Sequence, residues 1–378
     1  MTGSVLDAVG GRAVDSTSGR SRAGVQAYVR TYWLPSGPFL RICRTCRGVD
    51  MVEMTEMPEV ADMGEQALPD PAVRVAGAQE IARDVVVVPD QGVPLVPNIG
   101  VIGGRDAVLV VDTGMGLRNA EAVREFATDY ARGRRLYLTT THFHPEHAFG
   151  AQVFAEAATY LVNRDQAEDL RERGPGYLEM FRQLGEPVAR RLAGVVPARP
   201  DHVYGHTHDL DLGGRVVRLR ATGRAHSRGD QVIEVPDADV LFTGDLVEAG
   251  QFAIFPWFPP HDTDVSGTGW LAVMRRLAAR APRIVVPGHG PVGGPQLLTD
   301  VGDYLELLRR ETWTRRDAAV GEQTIADEVA ELMIRRYPRW AGREWIGKGV
   351  GCLCSEYAAG GAGEAPLPGS EPVRPASS

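Results

Sequence analysis

The sequence predicts an α/β protein in which two sheets lie sandwiched between helical layers. Three observations carry that expectation. Apolar β-type runs are each followed by stretches with helical spacing. That alternation occurs in the first half of the chain and again in the second. The composition, 43% hydrophobic and 24% charged, is that of a globular chain, and 378 residues suit two ordinary domains or one large one with appendages.

Residues 1–75 are rich in Gly, Ser, Arg and Asp and hold little periodicity, so they read as a disordered or loosely attached extension, or as an overlong gene start. Valines 85–88 and the apolar stretch 93–102 read as strands, and 107–111 as a buried strand ending at Asp112-Thr113-Gly114. Ala120, Val123, Phe126 and Ala127 fall at helical spacing. A strand at 135–141 follows, then a helix from Ala148 to Ala157, a strand at 159–162 and a helix carrying Ala167, Leu170 and later Leu178, Met180, Phe181 and Leu184. In the second half, 210–219 alternates around the turn Gly213-Gly214, and 232–235 and 240–242 are strands flanking a turn. A helix from 270 to 279, a strand at 284–286 and helices near 296–316 and 324–337 complete the pattern. Thr324 and Asp327 read as a capping-box start of the last helix. The domain reading is therefore a main domain at 76–316, a helical extension at 317–357 and a disordered tail at 358–378.

The net charge of −8 argues against a nucleic-acid surface, which needs a basic excess. No apolar run reaches the roughly 18–20 residues of a membrane span, and the N-terminus lacks a basic stretch followed by an apolar core, so a cytoplasmic protein acting on a small molecule is expected. The sequence leaves the oligomeric state open. Cys43 and Cys46, with Cys352 and Cys354, would suit a zinc knot by spacing, but free thiols are the expected state.

The chemistry centres on Thr141-His142-Phe143-His144-Pro145-Glu146-His147, three imidazoles and a carboxylate directly behind a strand. Imidazole and carboxylate together suit zinc and similar first-row ions. His226, Asp245 and His289 each follow an apolar run with glycine nearby, which places them at strand-to-loop transitions. Together these residues give five histidines and two carboxylates, enough for two metals of coordination about four to five each.

In that order and spacing the sequence resembles the metallo-β-lactamase superfamily over residues 80–312, with its His-x-His-x-Asp-His signature followed by a His, a bridging Asp and a final His. The resemblance implies an αββα four-layer sandwich with a C-terminal helical extension. It implies that His142, His144 and His226 hold one metal, that Glu146, His147 and His289 hold a second, and that Asp245 bridges them. It also implies that Asp112 orients ligands through hydrogen bonds. Two zinc ions are expected, with iron or manganese as alternatives. One residue departs from the pattern: Glu146 stands where the family usually has Asp, and its extra methylene adds roughly 1.5 Å of reach. Glu146 is expected to remain a ligand and, with Asp245, to serve catalysis by orienting the attacking water.

The resemblance implies hydrolysis by a metal-bound hydroxide; no Gly-x-Ser-x-Gly elbow suggests a serine nucleophile instead. Zinc β-lactamases commonly carry Cys at the bridging position, whereas this chain has Asp245, so it looks closer to the glyoxalase II, lactonase and thioesterase side. An ester, thioester or lactone is expected, with a lactam or phosphoester behind. The alternatives are a mononuclear iron oxygenase resembling persulfide dioxygenases and a non-catalytic binding protein on the same scaffold. Phe255, Trp257 and Phe258, on a proline-rich loop, wall a substrate pocket or else cover core. Arg224 and Arg228, beside His226, would suit a substrate carboxylate but read better as solvated; His202, His206 and His208 have no place in the ligand order.

Overall fold

The computed structural model describes residues 68–360, together with the backbone of four strands nearer the N-terminus. The chain divides into two compact units, 1–65 and 66–378. In the first, β1 (Ala13–Asp15), β2 (Tyr28–Tyr32), β3 (Leu40–Thr45) and β4 (Gly48–Met51) form an antiparallel sheet in sequential order. The expectations of a disordered extension, of a zinc knot at Cys43 and Cys46, and of a disordered tail fall mostly outside the described residues.

In the second unit, β5 (Gln79–Ala82), β6 (Val85–Val88), β7 (Ile99–Gly103) and β8 (Ala107–Val111) are joined by α1 (Leu117–Ala131) to β9 (Arg135–Thr139). Next come α2 (Pro145–Ala148), β10 (Ala158–Asn163), α3 (Arg164–Glu172), α4 (Gly174–Arg182), α5 (Glu186–Arg191) and β11 (His202–Tyr204). These strands make a seven-stranded sheet ordered β11-β10-β9-β8-β7-β6-β5. The second sheet comprises β12 (Thr207–Asp211), β13 (Val216–Ala221), β14 (Gln231–Val235), β15 (Val240–Glu248) and β16 (Ile284–His289), in sequential order. The helix α6 (Gly267–Ala278) connects the last two strands, and α7 (Gln296–Asp317), α8 (Glu322–Arg336) and α9 (Trp345–Ala358) follow.

Alternation along the strands explains the four layers. Val85, Val87, Ile102, Leu109 and Val111 face Leu219, Ile233, Phe242 and Val286 in an apolar layer between the sheets. Their neighbours Val86, Val88, Val101, Val108 and Val110 point the other way, onto α1 and the α4–α5 region. Val232, Leu241 and Val285 likewise turn outward to α6 through α9. Strands buried on both faces read as continuous apolar runs, which is why the valine run is legible. The sheets approach closely enough that a Cβ at Gly100 would lie 2.6 Å from the Phe242 ring.

Several local expectations need correction. Residues 93–98 form a turn with Leu95 at positive φ, so the strand begins only at Ile99. The helix expected from 148 to 157 is the single turn α2 plus a short 3-10 turn at Ala151–Phe154. The helix α8 starts at Glu322 behind Gly321, so Thr324 lies inside it and caps nothing; Asp327 instead accepts from Gln323 Nε2 at 2.9 Å. By contrast α6 is capped by Ser266, whose hydroxyl accepts the Gly269 N–H at 3.0 Å. Among the described residues no helix is long and apolar enough to cross a membrane.

Candidate metal centre

The two sheets present their ligand-type residues at one common edge. Asp112 follows β8 at a positive φ of 66°, and the segment after β9 carries His142 and His144 into α2, where Pro145 starts the helix. Glu146 and His147 sit in that one turn. From the other sheet come His226 in the β13–β14 loop, Asp245 within β15 and His289 as the last residue of β16. Asp245 was expected beyond its strand. It lies inside, because β15 continues through Gly244 with register shifts against β16 that re-aim the chain. Gly288 on β16 is required by close approach: a Cβ there would collide with Asp245 Oδ1.

The side chains gather into two groups, His142–His144–His226 and Glu146–His147–Asp245–His289. Within each, the ligand-type atoms all lie within 4.8 Å of one another. His144 Nδ1 is 2.9 Å from His142 Nε2 and 3.0 Å from His226 Nε2. A tetrahedral ion with Zn–N bonds of about 2.0–2.1 Å holds its nitrogens roughly 3.3 Å apart, so this spacing fits such an ion with a small adjustment. Asp245 lies between the groups. Its Oδ2 is 3.8 Å from both His142 Nε2 and His226 Nε2, while its Oδ1 is 3.2 Å from His147 Nε2 and 3.6 Å from His289 Nε2.

Hydrogen bonds set the direction of the rings. Asp112 accepts the Thr141 N–H at 2.7 Å, the Thr141 hydroxyl at 3.0 Å and His147 Nδ1 at 2.9 Å. His226 Nδ1 donates to the Ile254 carbonyl at 2.9 Å. Both rings thus turn Nε2 inward, and the His147 Nε2, Asp245 Oδ1 and Glu146 Oε2 atoms are buried without hydrogen-bond partners. Convergent orphaned polar atoms of metal-ligand type are what a cation would satisfy.

Burial dominates the electrostatics. It holds His142 and His144 well below the usual histidine range and brings His226 down to about 4, so all three keep free lone pairs. Burial opposes the charged form of His147 as well, but Asp245 and Asp112 override it and raise that group. Burial raises Glu146, and Asp245 adds to the effect. His289 is the most exposed of the seven side chains, at 13%.

The aromatic loop does other work. Phe255 is fully buried against Trp270, with ring centroids 5.1 Å apart, so it fills core rather than lining a pocket. Trp257 packs on the helical core beside α9, and Phe258 faces Trp345 and Lys348, whose Nζ is 4.7 Å from its ring centroid. Arg224 is spent on the Asp264 carbonyl and Arg228 on Asp169. His202 and His208 pair with each other, 5.0 Å between rings, outside both groups. Cys352 and Cys354 are free and buried in α9.

Two neighbours escaped the sequence reading. Tyr177 of α4 stacks on His144, and nothing in an amphipathic helix signals that contact. Glu248, 2% exposed at the end of β15, places a further carboxylate beside Asp245 and Glu146. A glutamate shortly after the apolar run of β15 was its only signal.

A sequence profile described as the metallo-β-lactamase superfamily matches residues 92–289, more than half of the chain, and the chain belongs to that family. Among characterised relatives, it is 28% identical over 215 residues to acyl-coenzyme A thioesterase MBLAC2 of Gallus gallus, covering 53% of this chain and 75% of the relative. It is 24% identical over 224 residues to metallo-β-lactamase type 2 of Bacteroides fragilis, covering 57% of this chain and 80% of that protein. Solved structures include a metallo-β-lactamase from Pontibacter korlensis, at 18% identity and TM-score 0.48, covering 61% of this chain and 98% of that one.

Proposed function

We propose that the protein is a zinc-dependent hydrolase with a two-metal centre that cleaves a small acyl substrate, a thioester foremost and an ester, lactone or lactam behind it. The observation that carries this reading is Asp245, whose two oxygens divide between the imidazoles of the two groups. The preference for a thioester follows the relatives named as acyl-coenzyme A thioesterases and the carboxylate, rather than thiol, at the bridging position.

Two separate groups of ligand-type atoms, joined through Asp245, support two ions rather than one. A buried carboxylate such as Asp245 is costly unless compensated, and ions on either side would compensate it. A divalent ion held there would acidify a water and polarise the acyl carbonyl. Asp112 and the Ile254 carbonyl hold His147 and His226 with Nε2 facing inward, Asp245 joins the two halves, and Glu146 orients the attacking water. We place the protein in the cytoplasm, acting on a small molecule without nucleic acid.

The test is metal analysis of purified protein together with a panel of acyl-coenzyme A, ester, lactone and lactam substrates. About two equivalents of zinc are expected, with thioester hydrolysis that a chelator abolishes and zinc restores. One equivalent of iron with oxygen consumption would replace this reading by an oxygenase. Metal-loaded protein inert to the whole panel would replace it by a binding protein.

A further inference from the structure

Glu248 ends β15 and pairs in register with His289 of β16. Its Oε2 accepts the Ile254 N–H at 2.9 Å, and the carbonyl of the same residue accepts His226 Nδ1 at 2.9 Å. A carbonyl can only accept, so the proton of His226 sits on Nδ1 and the lone pair on Nε2. That lone pair points to His144 Nδ1, 3.0 Å away, and to Asp245 Oδ2, 3.8 Å away. A residue whose N–H binds a carboxylate while its C=O binds an imidazole is held at both ends, and linked bonds of this kind polarise one another.

We propose that Glu248 is a positioning residue for His226, acting through Ile254 to fix the tautomer and direction of the imidazole. It lies outside both groups of ligand-type side chains. The proposal rests on the reading that His226 is a metal ligand, and it adds a carboxylate, three residues beyond Asp245, to the apparatus that orients the ligands. What the relay requires is reach: the carboxylate spans from the strand end to the loop, and its other oxygen, Oε1, is buried without a partner. An acceptor of the same length should serve, and a shorter acid should not.

The experiment uses the full chain with Glu248→Gln, which keeps the reach, Glu248→Asp, which keeps the carboxyl group, and Glu248→Leu, which keeps neither. Zinc affinity is measured by chelator competition. The His226 tautomer is read in metal-depleted protein from two-bond imidazole ¹H–¹⁵N spectra, with the signal assigned by its loss in His226→Asn. Glu248→Gln should match wild type in both measurements. Glu248→Asp and Glu248→Leu should release an Nε2–H form of His226 and weaken zinc by about 10- to 100-fold. Wild-type tautomer and affinity in Glu248→Leu would overturn the proposal. So would the reverse order, Asp like wild type and Gln like Leu, which would assign Glu248 a purely electrostatic role. If Glu248→Leu does not fold, the Gln–Asp comparison still decides. Should the wild-type protein bind no zinc, the hydrolase reading fails, while the tautomer spectra still test the relay.

Discussion

Tyr177 lies flat against His144, ring centroids 5.0 Å apart and planes 17° from parallel, with its hydroxyl bonded to Asp262. Arg173 caps this arrangement: its guanidinium sits 4.8 Å from the Phe143 ring centroid and 5.6 Å from that of Tyr177, and it also pairs with Asp262. The ring that backs His144 is thus tied to the loop that carries Ile254. Tyr177→Phe keeps the stacked ring and should bind metal as wild type while losing about 1 kcal/mol of stability. Tyr177→Ala removes the ring and should lose about 3–5 kcal/mol together with part of its metal affinity. Denaturant unfolding and zinc titration on both variants check this, and unaltered zinc binding in a folded Tyr177→Ala would show that His144 needs no backing.

Glu146 is the family departure, and the structure buries it in α2 with Oε2 unpartnered. Shortening it to the family's usual residue should preserve or raise metal occupancy. Glu146→Asp is therefore expected to carry at least as much metal as wild type, whereas Glu146→Ala should lose about one equivalent. Elemental analysis decides: a clear drop in a folded Glu146→Asp protein would contradict that expectation, and full occupancy in Glu146→Ala would remove the ligand role.

Asp112 accepts three donors at once, two from Thr141 and one from His147. An amide at this position turns one acceptor into a donor and opposes the His147 Nδ1–H. Asp112→Asn should weaken metal binding by about 10- to 100-fold without unfolding the protein. Chelator competition at matched folded fraction measures it; wild-type affinity would remove Asp112 from the apparatus.

Burial pushes the Cys352 thiol up to about 12 and raises that of Cys354 as well. Thiolate, not thiol, is the reacting form. In a variant with Cys43 and Cys46 replaced by serine, iodoacetamide at pH 8 should modify neither residue until denaturant is added. Mass spectrometry reads the outcome, and modification of the native protein would show that α9 opens.

Much of the fold and of the candidate site could be read from residues alone, and the misses have definite causes. Strands buried on both faces announce themselves as apolar runs, and a cluster such as His142, His144 and His147 is conspicuous in six residues. Gly244 interrupts the apolar run of β15, so the strand seemed to stop at Phe242. In the fold Gly244 takes a positive φ of 53° and the strand proceeds to Glu248. Both the true setting of Asp245 and the presence of Glu248 were hidden by that one residue. The loop aromatics posed a different difficulty. Whether Phe255 walls a pocket or fills core depends on Trp270 reaching it from α6, a contact that no local pattern encodes. Tyr177 and His144 are likewise far apart in sequence and meet only in space.

The ligand-type residues that meet at this edge come from both sheets. His142, His144, Glu146 and His147 belong to the seven-stranded sheet and its loops, and His226, Asp245 and His289 to the five-stranded one. An ion shared across them would act as a staple between two sheets otherwise joined by the apolar layer of Ile102, Leu109, Leu219 and Phe242. Ligand binding to the native state alone adds about 4 kcal/mol at a thousand times the dissociation constant. Metal supply would then govern not only turnover but how long the folded chain survives.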